Sequence, residues 1–378
     1  MPLALTPEQE DLRAVVRSFF DATSPESEVR RLMTEPVPMD RDLWRRMASE
    51  LGVQSLALPE EVGGQGYGFR ELSVVLEEAG RSLLCAPLLS STVMASTLLD
   101  AIGDGSASEL LRELAGGGTI AAVAVAADRV GFDPTASSVR ARVSAGRWRL
   151  EGTAPHVIGG DLADVVLVVA STPEGAAVMR CDAGAEGLVV TPVPTLDLTR
   201  PAARLDFADT PAVPVGTPGA VDAAVARALD VTCVALAVES VGGAQRCLEM
   251  ATDYARERVQ FGRRIGSFQA VKHRCADMLL EIETARSAAY SAAGAVDATR
   301  PGAGTGADVD LAAEASLAKA TTDEAYVHVA NSTIQVHGGI GFTWEHPAHL
   351  YLKRAKSTAV TFGDAIDHRS RLGDRVGL

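Results

Sequence analysis

The chain has 378 residues, 35 basic against 49 acidic side chains and a formal charge of −14. That length predicts two or three domains, because a single core rarely grows past about 250 residues, and 47% hydrophobic with 22% charged residues excludes a disordered chain. The acidic balance and 4% aromatic content exclude a nucleic-acid binder, which needs a basic footprint and stacking rings.

The first segment predicts a helix. Thr6 supplies an N-cap, Pro7 the first helical position and Gln9 the capping-box partner. Leu12, Val15, Val16, Phe19 and Phe20 then recur at helical spacing. A second helix is expected over about Asp40–Leu51, with Leu43, Met47 and Leu51 on one face. Leu58–Gly68 holds one proline and four glycines in eleven residues and reads as a loop. Helical periodicity resumes from Phe69 to about Ala115, broken at Cys85-Ala86-Pro87.

After Gly116-Gly117-Gly118 the pattern changes to short valine-rich runs, at Thr119–Ala126, Ser138–Val143 and Val165–Ala170. Turn residues punctuate them at intervals of about 8–12 positions, as in an antiparallel β domain. Trp148–Gly152 and Ala203–Phe207 alternate apolar and polar residues as half-buried strands do. From Val221 long helices return. Ala223–Glu257 is an unbroken helical pattern of some 35 residues, typical of a bundle. Ser267–Val296 and Val309–Val336 follow, joined by the flexible connector Thr299–Ala307. The fold class is thus α+β: a helical domain (1–117), a β domain of barrel or sandwich type (118–218) and a helical bundle (219–378).

No stretch reaches the roughly 20 apolar residues of a membrane span; Ala163–Ala170 comes nearest and contains Asp164. The N-terminal residues show no basic region followed by an apolar one, so a secretory signal is not expected. Five scattered cysteines (Cys85, Cys181, Cys233, Cys247, Cys275) without a C-x-x-C pair suit neither a disulfide framework nor a metal site and point to a reducing cytoplasm.

Three patches carry a resemblance: Arg256–Gln269 (with Arg258-Val259-Gln260-Phe261-Gly262-Arg263-Arg264 at its centre), Gln335-Val336-His337-Gly338-Gly339-Ile340-Gly341-Phe342, and Leu51-Gly52-Val53 leading to Leu58-Pro59-Glu60-Glu61-Val62-Gly63-Gly64. Their order, and the succession of helices, strands and helices, resembles the acyl-CoA dehydrogenase family of flavoproteins over essentially the whole chain. Elementary chemistry stands beside the resemblance. Arg258 offers a planar fork to a pyrophosphate, Phe261 a ring face, and Gln269 or Gln335 an amide that donates and accepts. Gly338-Gly339 removes two β-carbons where backbone N–H groups could approach an anion. The resemblance implies FAD, with Arg258, Phe261 and Gln269 on one chain and Gln335, Gly338 and Gly339 on the opposite one. It therefore implies a homo-oligomer or a heterotetramer with a second family member, an acyl-CoA thioester substrate and an acceptor such as an electron-transfer flavoprotein.

The family pattern is not kept everywhere. A Thr-Glu-x-x-x-Gly-Ser-Asp segment that lies against the flavin is replaced by Ala126–Asp133, and a tryptophan by His156. Asp164 and Asp197-Leu198-Thr199-Arg200 do match recurrent family positions. The family's reaction removes the proton α to a thioester, which requires a carboxylate within hydrogen-bond reach. Aligned on the family, the usual base position holds Phe362, and the alternative position on the central helix, 29 residues before Phe261, holds Thr232. Asp364 is the nearest substitute, Asp230 matches a substrate-contacting position, and Glu239 reads as structural. Three readings follow: a base-lacking subunit of a heteromeric dehydrogenase, a homo-oligomer using Asp364, or a non-enzymatic scaffold.

Overall fold

The structure, a computed structural model, describes residues 4–125, 137–300 and 309–377. The family-motif position at 126–133 and most of the connector at 299–307 lie outside the described residues. The chain folds as two compact units: one of Met1–Val29, Ser73–Leu84 and Cys233–Leu378, the other of Arg30–Leu72 and Cys85–Thr232. These units are drawn differently from the succession of element types, because the chain passes between them four times.

The first element is α1 (Pro7–Thr23), opened by the expected reciprocal bonds: Gln9 N–H donates to Thr6 Oγ1 and Thr6 N–H to Gln9 Oε1. A short α2 (Glu26–Leu32) follows, then α3 (Arg41–Leu51), whose Asp40 cap accepts from two backbone amides and whose Gly52 ends it at φ 65. The loop after it contains two single three-ten turns. Next come α4 (Phe69–Ser82), a buried π-helical segment Leu88–Ala95 begun by Pro87, α5 (Ser96–Ile102) and α6 (Gly105–Ala115). The single long helical stretch expected up to Ala115 is therefore broken twice more, by the π segment and by Gly103 at φ 66. Periodicity of 3.6 does not register the π segment, because all eight of its residues are buried, the polar Ser90, Ser91 and Thr92 included, and no one face stands out.

The second unit is built on strands β1 (Ala121–Val125), β2 (Val139–Ser144), β3 (Arg147–Ile158), β4 (Val165–Thr172), β5 (Gly175–Asp182), β6 (Leu188–Pro192) and β7 (Ala202–Val215). The ladder β4-β2-β3-β7-β5 returns to β4, so the sheet closes, while β6 adds to β7. Closure gives β4, β2, β3, β7 and β5 a partner on both sides and encloses a core of Leu150, Val166, Val168, Met179, Leu205 and their neighbours. Most pairings are antiparallel as expected, but β1 and β2 run parallel to β4. This follows from strand order: β1 reaches β4 only after an intervening hairpin, so local turn signals do not reveal its direction.

In the first unit the long helices dominate. α7 (Asp222–Glu257) runs 36 residues and begins in the second unit before continuing through the first; α8 (Gln269–Ala298) and α9 (Leu311–His337) follow, then α10 (Ala348–Thr358) and α11 (Ala365–Val376). α9 is central, packing against α8, α10 and α11. Where α4 crosses α7, each helix offers a glycine to the other's backbone. A β-carbon on Gly242 would stand 1.8 Å from Glu77 O, and one on Gly80 2.0 Å from Glu239 O. Beside that crossing, buried Glu77 accepts from Tyr290 Oη at 2.5 Å and pairs with Arg286, while buried Glu78 takes a two-pronged bond from Arg17 at 2.7 and 2.8 Å. These bonds tie α1, α4 and α8 and leave neither carboxylate bare in the interior.

Candidate functional site

Arg258 follows α7 directly, and the chain then reverses through a two-residue turn between β8 (Val259–Gln260) and β9 (Arg263–Arg264). Phe261 (φ 52) and Gly262 (φ 75) both take the left-handed conformation, the arrangement that matches the twist of a tight hairpin. That turn pushes the Phe261 ring out to 91% exposure. Phe268 supports it edge-on at 6.1 Å, and the Arg263 guanidinium lies 4.0 Å above Phe268. Arg258 is exposed, and among the described residues its guanidinium makes no hydrogen bond or ion pair. Gln269 opens α8, exposed, with its amide 3.3 Å from His273 Nε2. The turn and the helix start thus present a free cation, a bare ring and an amide to solvent.

The second group stands at the end of α9. Gln335 is exposed one turn before Gly338, which caps the helix at φ 62. β-carbons at Gly338 and Gly339 would meet nothing within 4 Å, so this backbone faces open space. His337 anchors the turn from below: its Nδ1 bonds Thr333 O at 2.8 Å, and its buried ring stacks on Tyr254 at 4.5 Å and His346 at 4.0 Å. Burial pushes the His337 pKa below the usual histidine value, which suits a ring packed on a second imidazole. Tyr254 lies on the last turn of α7, so the helices bearing the two motifs meet at their C-terminal ends. Among the described residues, no hydrogen bond or ring contact joins Arg258, Phe261 or Gln269 to Gln335, Gly338 or Gly339.

The positions that the resemblance assigns to the base are equally plain. Thr232 is wholly buried on α7, its hydroxyl donating to Ala228 O at 2.6 Å. Phe362 is half-buried between α10 and α11 in the left-handed conformation, φ 58, followed by Gly363 at φ 100. Asp364 is the N-cap of α11: its Oδ1 accepts from Ile366 N at 2.8 Å and Asp367 N at 3.0 Å, and Asp367 Oδ2 accepts from Asp364 N in return. Asp230 is buried on α7, between Ala228 and Thr232. Glu239 pairs with Arg354 of α10, the structural part expected of it. In the other unit, His156 is exposed on β3, whereas Asp164 accepts from Ile120 N at 2.9 Å and pairs with Arg41 at 2.9 Å. Asp197 accepts from Thr199 N and Oγ1, closing the turn at the matching family segment.

One cluster escapes sequence reasoning. Lys319, on α9, is fully buried and paired with Asp323 one turn on. Its ammonium also donates to Thr358 O at 2.9 Å and lies 3.5 Å from Gly363 O, on either side of Phe362. His368 of α11 bonds the carbonyl of Phe362 itself through Nε2 at 3.1 Å. The only signal in the sequence is a lysine inside an alanine-rich run with an aspartate four residues on.

Comparison with known proteins decides the family. Residues 6–117 match the acyl-CoA dehydrogenase N-terminal domain, and residues 222–377 the acyl-CoA dehydrogenase C-terminal domain. The chain belongs to the acyl-CoA dehydrogenase family. Among similar members, acyl-CoA dehydrogenase IpdE2 of Mycobacterium tuberculosis is 35% identical over 353 residues, 93% of this chain and 92% of that one. Two solved structures are also similar. The Tcur3481-Tcur3483 steroid ACAD G363A variant matches at 33% identity and TM-score 0.85, covering 98% of this chain and 97% of that one. The ChsE4-ChsE5 complex from Mycobacterium tuberculosis matches at 31% and 0.86, covering 100% and 99%. The helix–strand–helix architecture expected from the acyl-CoA dehydrogenase resemblance is the fold the chain has, and the family is one of flavoprotein oxidoreductases. No described helix is long and apolar enough to cross a membrane.

Proposed function

We propose that this chain is an FAD-binding, base-lacking subunit of a heteromeric acyl-CoA dehydrogenase, working on a CoA thioester beside a second family member that carries the carboxylate. The observation that carries this reading is the state of the three candidate positions. Phe362 has no proton acceptor, the Thr232 hydroxyl is turned back onto its own helix, and the Asp364 carboxylate caps α11 through Oδ1. A homo-oligomer using Asp364 would have to take the proton on Oδ2 of a residue fixed in place as the cap of α11.

The donor set fits FAD. Arg258 would meet phosphate oxygens with a fork free of other partners, Phe261 would cover a ring, and Gln269 would bond its edge. Gln335 and the unobstructed backbone of Gly338 and Gly339 would serve the cofactor of the opposite chain. Retention of all six of these residues also weighs against a scaffold that has lost its flavin. When bound, FAD supplies the acceptor for the hydride leaving the β carbon of the thioester. Asp230 would stand on the substrate side, and an electron-transfer flavoprotein would reoxidise the enzyme.

Assembly with a related chain is supported by surface chemistry: Leu279 and Leu280 on α8 and Leu317 on α9 are exposed, apolar positions that an isolated chain leaves in water. A steroid-type acyl group agrees with the similarity to the steroid ACAD variant, and a two-component assembly with the similarity to the ChsE4-ChsE5 complex. Five free cysteines agree with a reducing cytoplasm. Native mass measurement with flavin absorbance tests the reading: flavin should accompany an assembly of two or more chains. A monomer that holds flavin at one per chain would contradict it.

A further inference from the structure

A fully buried lysine demands an explanation, because an ammonium in an apolar interior is costly unless it is paired and its protons are all taken up. Lys319 meets that demand with Asp323, Thr358 O and Gly363 O. An apolar pair of similar volume would serve packing as well, often better. Two of the three acceptors, however, are main-chain carbonyls of the segment joining α10 to α11, and they bracket Phe362. His368 adds a third tie from the other side, to the carbonyl of Phe362. Burial pushes the His368 pKa down to about 4, so the ring is neutral at ordinary pH and its Nε2–H is the donor.

The segment so held is not one the backbone would choose. Phe362 has a β-carbon yet sits at φ 58, a conformation that persists in such residues only where the surroundings over-determine it. We propose that Lys319, anchored by Asp323 and assisted by His368, is a positioning residue that clamps the 358–364 turn and fixes the backbone of residue 362. The proposal rests on the reading that 362 is the family's base position. Because every tie goes to a carbonyl, the clamp is indifferent to the side chain at 362: the frame for a base is intact and holds a phenylalanine.

The test uses the flavin-loaded chain. Lys319→Met with Asp323→Leu removes the donor without stranding a charge, and Lys319→Arg keeps the charge with a different reach. Hydrogen exchange of amides 358–364 is followed alongside the denaturant midpoint. The clamp predicts exchange at 358–364 faster by roughly tenfold or more in the double variant, intermediate in Lys319→Arg, with α8 and the rest of α9 unchanged. Wild-type protection of 358–364 in the double variant overturns the proposal. So does exchange that rises equally through α9, α10 and α11 in either variant, since that is ordinary core loss. In a Phe362→Glu chain that turns over acyl-CoA, Lys319→Met with Asp323→Leu should lower kcat roughly tenfold and leave KM in place. If Phe362→Glu gains no turnover while the exchange pattern is as predicted, the base-position reading fails and the clamp stands.

Discussion

At the scale of single residues, the proposed cofactor site is a set of exposed groups. Arg258 is the sharpest case, since most arginines of this acidic chain are paired and this one is not. Arg258→Ala removes a charge-assisted contact to the cofactor and should weaken FAD binding by about 1.5–3 kcal/mol, roughly 10- to 100-fold in Kd. Flavin titration of the apoprotein measures it, and unchanged affinity would remove Arg258 from the site. His368 gives a prediction in pH. Its folded pKa, about 4, lies below the unfolded histidine value, so between pH 4 and 6.5 the unfolded chain binds more protons. The ring's contribution to stability is therefore complete above pH 6.5 and is lost as pH falls toward 4. Asp323, pushed up to about 6 by burial, works in the opposite direction over part of that window, so comparison with a variant isolates the ring. Wild type should lose stability more steeply than His368→Gln between pH 6.5 and 4, by up to ~1.4 kcal/mol per pH unit; identical slopes by denaturant titration would refute the assignment.

At the scale of elements, local chemistry is legible in the sequence and long-range chemistry is not. The start of α1 can be read because its capping box lies within four consecutive residues, and α3 because Asp40 and Gly52 mark both ends. α2 has only seven residues, too few for a helical period to repeat, and the parallel pairing of β1 with β4 depends on residues some forty positions apart. The hairpin that exposes Phe261 is hidden because a phenylalanine at positive φ runs against its own preference. Lys319 is hidden for a related reason: composition places lysine on surfaces, and only the fold brings acceptors to it. The α4–α7 crossing offers a test of packing. Gly242→Ala puts a methyl group into the backbone of Glu77 and should cost about 1–3 kcal/mol by thermal or denaturant unfolding. A neutral effect would mean that the two helices can separate freely there.

At the scale of the whole molecule, the chain keeps the frame of its family while the two positions that the resemblance assigns to the base hold a phenylalanine and an internally bonded threonine. On the proposed reading the carboxylate comes from another chain, and the exposed leucines of α8 and α9 and the exposed Phe261 ring are consistent with that division of labour. Loss of a general base typically lowers rates by about 10²–10⁴-fold, so the difference between lone chain and complex should be large. The decisive measurement is acyl-CoA turnover of this chain alone and in complex with a glutamate-bearing family member, each with Asp364 and with Asp364→Asn. The account predicts turnover in the complex only, unchanged by Asp364→Asn; brisk turnover by the lone chain that Asp364→Asn abolishes would contradict it.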